Sequence, residues 1–253
     1  MAGRGSDLRR VLTLGGQAPL AAGALIVAML VATAFSGLAR GAAPLLVLEV
    51  DPGRGPLGLL EAWRLLTWPF PQPFGPYLVL DLLFAALALL WLGRSLSYAW
   101  SERRFLARFF ALAAGSGLLT WLVLWPLGIA FAHAGMWAVI NGLFVTWGLI
   151  FPRQRLAWFG ALEMSGAAVA RLFTFGTPIY ALVTGASSSL LARLLEYTPH
   201  LAAVALAWLL VAGGPRRAWY RLKEWWLRAT LDRQRRRFKV ITTDRPPPKQ
   251  WMN

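Results

Sequence analysis

Few residues in this chain could do chemistry. Its only imidazoles are His133 and His200, and it has no cysteine. Thiol catalysis, disulfides and cysteine-based metal sites are therefore excluded, and two histidines are too few for a His-rich metal centre. No metal and no cofactor is expected. A histidine acts as a base only with a nucleophile about 3 Å away. No serine occurs between Gly117 and Met164, the stretch that holds the most apolar run after His133. Three further charged residues, Asp81, Glu163 and Arg171, fall inside apolar runs. A charge within a membrane span is costly and marks function by default. Glu163 and Arg171 are eight residues apart, roughly 80° around a single helix. They pair loosely with each other or face partners, and are read as an interior ion pair or a polar lining near the interface.

The elements that must position these residues follow from composition. Of the 253 residues, 57% are hydrophobic and 15% charged, and the mean hydropathy is +0.52. Soluble domains carry about 25% charged residues. This composition, with its fourteen tryptophans and fourteen phenylalanines, is that of a polytopic all-α membrane protein. The apolar runs predict six spans. These are Pro19–Leu38, Tyr77–Leu92, Phe105–Leu127, Gly135–Phe151, Leu156–Phe175, and a short last segment, His200–Ala212, that starts as early as Leu194. Pro19–Leu38 is long enough to be a retained span rather than a signal core. The connection 39–76 is long for a compact protein, which marks it as functional or as folded into the interface. Residues 176–199 read as an external loop or a re-entrant segment. Residues 93–104 read as a turn, and His133 as a loop or interface histidine.

Charge sets the orientation. The net charge is +15. With six spans, three Lys/Arg in the tail 1–17, four at 94–108, two at 153–155 and twelve in the tail 214–253 share one side. Arg40, Arg54, Arg64 and Arg193 lie on the other. The positive-inside rule then places both termini in the cytoplasm. The basic, Trp-containing tail 214–253, with an end expected to be disordered, is expected to lie on anionic lipid headgroups, and no nucleic-acid partner is expected. The expected organisation is a basic N-tail 1–17, a membrane domain 18–213 and the basic C-tail, in the plasma membrane, the inner membrane of a bacterial-type cell.

Gly135 and Gly142 stand seven apart with small residues between them, a spacing that suits close helix packing, and Ala203 and Ala207 form a small-residue face on the last segment. Three stretches resemble the rhomboid family of intramembrane serine proteases: Glu61–Trp68 with its Trp63-Arg64 pair, Leu92–Leu106 with Gly93-Arg94, and Gly135–Leu143 followed by Phe151-Pro152-Arg153. The resemblance covers about residues 18–213 and implies a rhomboid-like six-helix bundle. It implies a serine in the fourth span, where this chain has Trp137, and a histidine in the last, matched by His200. It also implies a histidine and an asparagine in the second span that stabilise an oxyanion, where this chain has Asp81 and Ala85. Indole is no nucleophile, and an ionised Asp81 would repel an oxyanion.

The reading is therefore a rhomboid-like protein without the catalytic serine, a pseudoprotease that binds or handles transmembrane client proteins within the bilayer, with Glu163 and Arg171 on the fifth span expected to bias which client helices bind. Two alternatives stand beside it. One is an active rhomboid serine endopeptidase with an unusual nucleophile, for which Thr146, Ser165 and Ser187–Ser189 are the candidates. The other is a structural subunit of a larger membrane complex.

Overall fold

The structure, a computed structural model, describes residues 19–39, 43–54, 61–158 and 162–211. The two basic tails, 1–17 and 214–253, lie outside the described residues. The fold is mostly helical. Among the described residues, four helices are long and apolar enough to cross a membrane, five if one bent pair counts as a span. Their outer faces carry exposed Val31, Val79, Phe175 and Val183, apolar side chains that suit lipid rather than water. The protein is an integral membrane protein.

The first long helix, α1, spans Leu20–Leu38. A layer of short elements follows: α2 (Ala43–Leu46), β1 (Leu48–Val50), a 3-10 turn (Pro52–Arg54) and α3 (Arg64–Thr67). So the described part of the connection 39–76 is folded. Its centre is Arg64, only 5% exposed, which pairs with Glu49 at 2.5 Å and Glu61 at 3.7 Å. Trp63 donates its indole N–H to the Leu45 carbonyl, and Trp68 donates to the Ala113 carbonyl, each at 3.0 Å. These bonds stitch the layer to itself and to the bundle.

Helix α4 spans Leu78–Ala99 and α5 spans Glu102–Leu124. The expected turn at 93–104 is thus helical as far as Ala99. A Cβ at Gly93 would sit 2.6 Å from Ala22 Cβ, so this glycine lets α1 close onto α4. Arg94 is exposed on α4. The break comes at Trp100–Ser101, where Ser101 caps α5 by accepting from the Arg104 N–H at 3.4 Å. Glu102 accepts from the Ala21 N–H at 3.2 Å and so satisfies the start of α1. The Arg108 guanidinium lies 4.0 Å over the Trp100 ring.

After α5, β2 (Phe131–His133) pairs antiparallel with β1, with Leu48 opposite His133 and Val50 opposite Phe131. Helix α6 spans Trp137–Ile150, starting two residues later than expected. It is buried nearly all round and packs against α4 and α5, and also against α7 (Gly166–Thr184) and α9 (Thr198–Val211). Fourteen residues make about 21 Å of helix, less than a hydrocarbon core of about 30 Å. Gly142 explains the close contact with α9. A Cβ there would meet the Ala203 carbonyl oxygen of α9 at 2.9 Å, so the small-residue faces of the two elements do meet.

The expected fifth span, Leu156–Phe175, is corrected. β3 (Arg155–Trp158) pairs antiparallel with β4 (Leu162–Ser165), and α7 runs from Gly166 to Thr184. The register pairs Leu156 with Met164 and Arg155 with Ser165. Apolar residues at 156, 158, 162 and 164 alternate with Arg155, Ala157, Glu163 and Ser165, which is a strand period. Ser165 then caps α7 by accepting from the Ala168 N–H at 3.2 Å. The supposed loop 176–199 is helical at both ends: it contains the second half of α7 and α8 (Leu190–Glu196). α8 and α9 meet at a bend of 69°.

Candidate functional site

Helix α6 ends on its N-terminal side at a cavity of about 550 Å³. The chain reaches α6 through Gly135, whose φ of +119° is a conformation only glycine adopts without strain. Its N–H donates to the Trp68 carbonyl at 3.1 Å. Gly135 therefore serves the turn into the helix, whereas Gly142 serves the packing. Trp137, the first residue of α6, lines the cavity, and one turn on so does Asn141. His200, near the start of α9, lines it too.

The imidazoles are held by different neighbours. Asn141 Nδ2 lies 3.1 Å from His200 Nδ1. With the amide nitrogen donating, Nδ1 is the acceptor and Nε2 carries the ring hydrogen. His133 arrives from β2, and its ring stands 5.4 Å from that of His200, edge to face. The Trp68 ring is 5.5 Å away on another side. His133 is thus part of the cavity wall rather than a peripheral loop residue, and its Nε2 is buried without a hydrogen-bond partner among the described residues. Loss of water around the ring pushes the His133 pKa down from the ordinary imidazole value.

Asp81, in the first turn of α4, lines the same cavity. Its carboxylate makes no hydrogen bond or ion pair, and no lysine or arginine lines the cavity, among the described residues. Ala85, one turn further along α4, is buried in the core and does not reach the wall. From α7 come Phe173, Thr177 and Tyr180, and Tyr197 comes from the α8–α9 bend.

Glu163 and Arg171 are not brought together. Glu163 sits on β4, exposed, with Arg155 at 3.1 Å. Arg171 is exposed on α7 and donates to the Ala167 carbonyl at 3.1 Å. Neither lines the cavity, and the single helix assumed to carry both does not exist. Trp63, Arg64, Gly93 and Arg94 are likewise away from the wall.

None of the candidate alternative nucleophiles lines the cavity either. Thr146 is buried within α6, Ser165 caps α7, Ser187 bonds to the Glu196 carboxylate, and Ser189 caps α8. The hydroxyls that do reach the wall are engaged elsewhere or unpaired with imidazole. Thr177 donates to the Phe173 carbonyl at 2.6 Å, and the Tyr197 hydroxyl lies 2.9 Å from Thr184 Oγ1. Among the described residues no hydroxyl is hydrogen-bonded to either histidine. The arrangement offers a carboxylate, hydrogen-bonding groups and aromatic walls for binding, and no paired nucleophile and base for acyl transfer.

Sequence reasoning missed Asn141, Gln72, Tyr180 and Tyr197. Asn141 had a signal: it is a polar residue in an otherwise uncharged span, four residues after Trp137 and so on the same face. Gln72, Tyr180 and Tyr197 had none, because they come from segments whose path only the fold defines. No protein-family model matches the chain, and no curated protein matches it.

Proposed function

We propose that this chain is a rhomboid-like membrane protein without protease chemistry, whose cavity holds transmembrane segments of other proteins within the bilayer. One observation carries the reading. Trp137 and His200, which the resemblance puts at nucleophile and base, line one cavity although 63 positions separate them in sequence. The indole occupies wall where a serine would be needed, and His200 is bonded to an amide.

The surroundings suit a helical client. Helices α4 and α7 both border the cavity yet make few or no contacts with each other. Exposed Leu80, Leu83 and Leu87 on α4, and Ile179 and Val183 on α7, offer an apolar approach from the bilayer. In this reading α1, α4, α5, α6, α7 and the bent α8–α9 pair are the six spans. Both termini are then cytoplasmic, the membrane is the plasma membrane, and the basic C-terminal segment meets anionic headgroups.

The test is photocrosslinking from a benzoylphenylalanine placed at Tyr180, on the cavity wall, or at Val27, on the outer face of α1. The reconstituted full chain is offered a synthetic transmembrane peptide of about 20 residues. Capture at Tyr180 well above capture at Val27 is expected; equal capture at both sites would sink the proposal. A fluorophosphonate probe that labels the purified protein, but not its His200→Ala variant, would establish a hydrolase instead.

A further inference from the structure

Asp81 is left over by every structural role described so far. The chain has 26 Lys and Arg against 11 Asp and Glu, so partners for a carboxylate abound. Glu49 and Glu61 take Arg64, and Glu163 takes Arg155. Glu102 caps α1, and Glu196 accepts from the Ala186 N–H. Asp81 alone of the acids in the long helices faces a cavity, and its carboxylate has no hydrogen bond or ion pair among the described residues.

Its company in the wall is aromatic. Trp137, Tyr180 and Tyr197 line the cavity with it, and the two histidines add further ring edges and faces. Electron-rich ring faces attract cations, most strongly where water is excluded. A carboxylate within a membrane span is costly when alone, and a cation at close range offsets that cost. An anionic occupant would meet Asp81 as a like charge, and an aliphatic one would leave it unpaired.

We infer that the cavity is a cation site, and that it takes the ammonium or guanidinium of a basic side chain carried by a client transmembrane segment. The chemistry of the site stands on Asp81 and the aromatic wall; the client as source of the cation rests on the function proposed above. Client segments with a lysine or arginine at membrane depth are then preferred over wholly apolar ones. This assigns the recognition role to Asp81 on α4, instead of to Glu163 and Arg171.

The test uses the full chain in nanodiscs of zwitterionic lipid. Three peptides of about 20 residues share a Leu/Ala background and differ at one central position, which is Lys, Leu or Glu. In wild type the Lys peptide should bind about tenfold more tightly than the Leu peptide, and the Glu peptide more weakly than either. Asp81→Asn should bring Lys and Leu within about twofold of each other, and Asp81→Glu should keep the preference. Equal binding of Lys and Leu peptides to wild type, or a preference that survives Asp81→Asn, overturns the inference while leaving client binding intact. A second arm measures thermal stabilisation by n-butylammonium. If no peptide binds but the amine stabilises wild type and not Asp81→Asn, the cation site stands with a small amine as its source, and client binding falls. If neither peptide nor amine acts, both fall.

Discussion

Asn141 Nδ2 donates to His200 Nδ1 across 3.1 Å, joining α6 to α9 over 59 positions of sequence. With the amide nitrogen as donor, the ring nitrogen it faces is the acceptor. Nδ1 accepts, so Nε2 bears the proton and cannot take one from an alcohol. Restoring a hydroxyl is then not enough to restore chemistry. Trp137→Ser should remain unlabelled by a fluorophosphonate probe, with Asp81 still opposing any oxyanion. Labelling of Trp137→Ser that disappears on adding His200→Ala would show that the imidazole is a competent base after all.

Gly142 tests the packing that brings those residues together. An added methyl would press on the Ala203 backbone oxygen at 2.9 Å, and a helix backbone cannot move aside as a flexible side chain would. Gly142→Ala should destabilise the protein by about 1–3 kcal/mol, read as unfolding in mixed micelles. The same substitution at Gly75, where a Cβ would meet nothing within 4 Å, is the control and should be nearly silent.

Arg64 anchors the layer that carries Trp68 and, through β1, supports β2. Its side chain is 6% exposed, and its partner Glu49 is 30% exposed. The expected cost of Arg64→Ala is about 2 kcal/mol, between that of an exposed and a buried pair. Protease sensitivity should rise within 43–77 before the bundle unfolds. A variant as resistant as wild type would show that the pair does not hold the layer.

The Arg155–Glu163 pair is the contrasting case. Its side chains are 79% and 62% exposed, on the β3–β4 pair away from the cavity. Glu163→Ala should change stability by less than about 1 kcal/mol and leave peptide capture at Tyr180 unchanged. Lost capture would return Glu163 to the binding site.

His133 gives a pH dependence whose sign is set by burial. Its pKa in the folded protein is below that of a free imidazole. Once the pH falls under about 6.5 the unfolded chain takes up a proton that the folded ring refuses. Stability is therefore full above that pH and declines as the pH falls, by at most about 1.4 kcal/mol per pH unit for one proton. His133→Phe should flatten the decline in an unfolding series between about pH 7 and pH 5. A slope unchanged by the substitution would assign it to other groups.

Much of the scaffold was legible in the residues. Pro19–Leu38 was read within one residue of α1, because an uncharged run of that length has no other stable state in a membrane protein. The closeness of α6 and α9 was foreshadowed by small residues at Gly142 and Ala203. The β3–β4 pairing was not, since overall apolarity masked its alternating pattern, and hydropathy does not distinguish a period of two from one of 3.6. The turn misplaced at 93–104 has a similar cause. Gly93 and Arg94 were read as punctuation, but Gly93 is helical and its missing side chain is used against Ala22.

By itself the sequence determined the membrane class, the lack of a serine near Gly135 and the lack of cysteine, because these depend only on which residues are present and on how long the apolar runs are. Only the tertiary structure decided which polar residues share a space. Asp81, His133, Asn141, Tyr197 and His200 come from five separate elements or junctions, and their meeting at the end of α6 depends on helix packing and on the β1–β2 pairing. The same packing left Glu163 and Arg171 outside. Long-range contacts are set by how surfaces fit, which the order of residues along one run does not reveal.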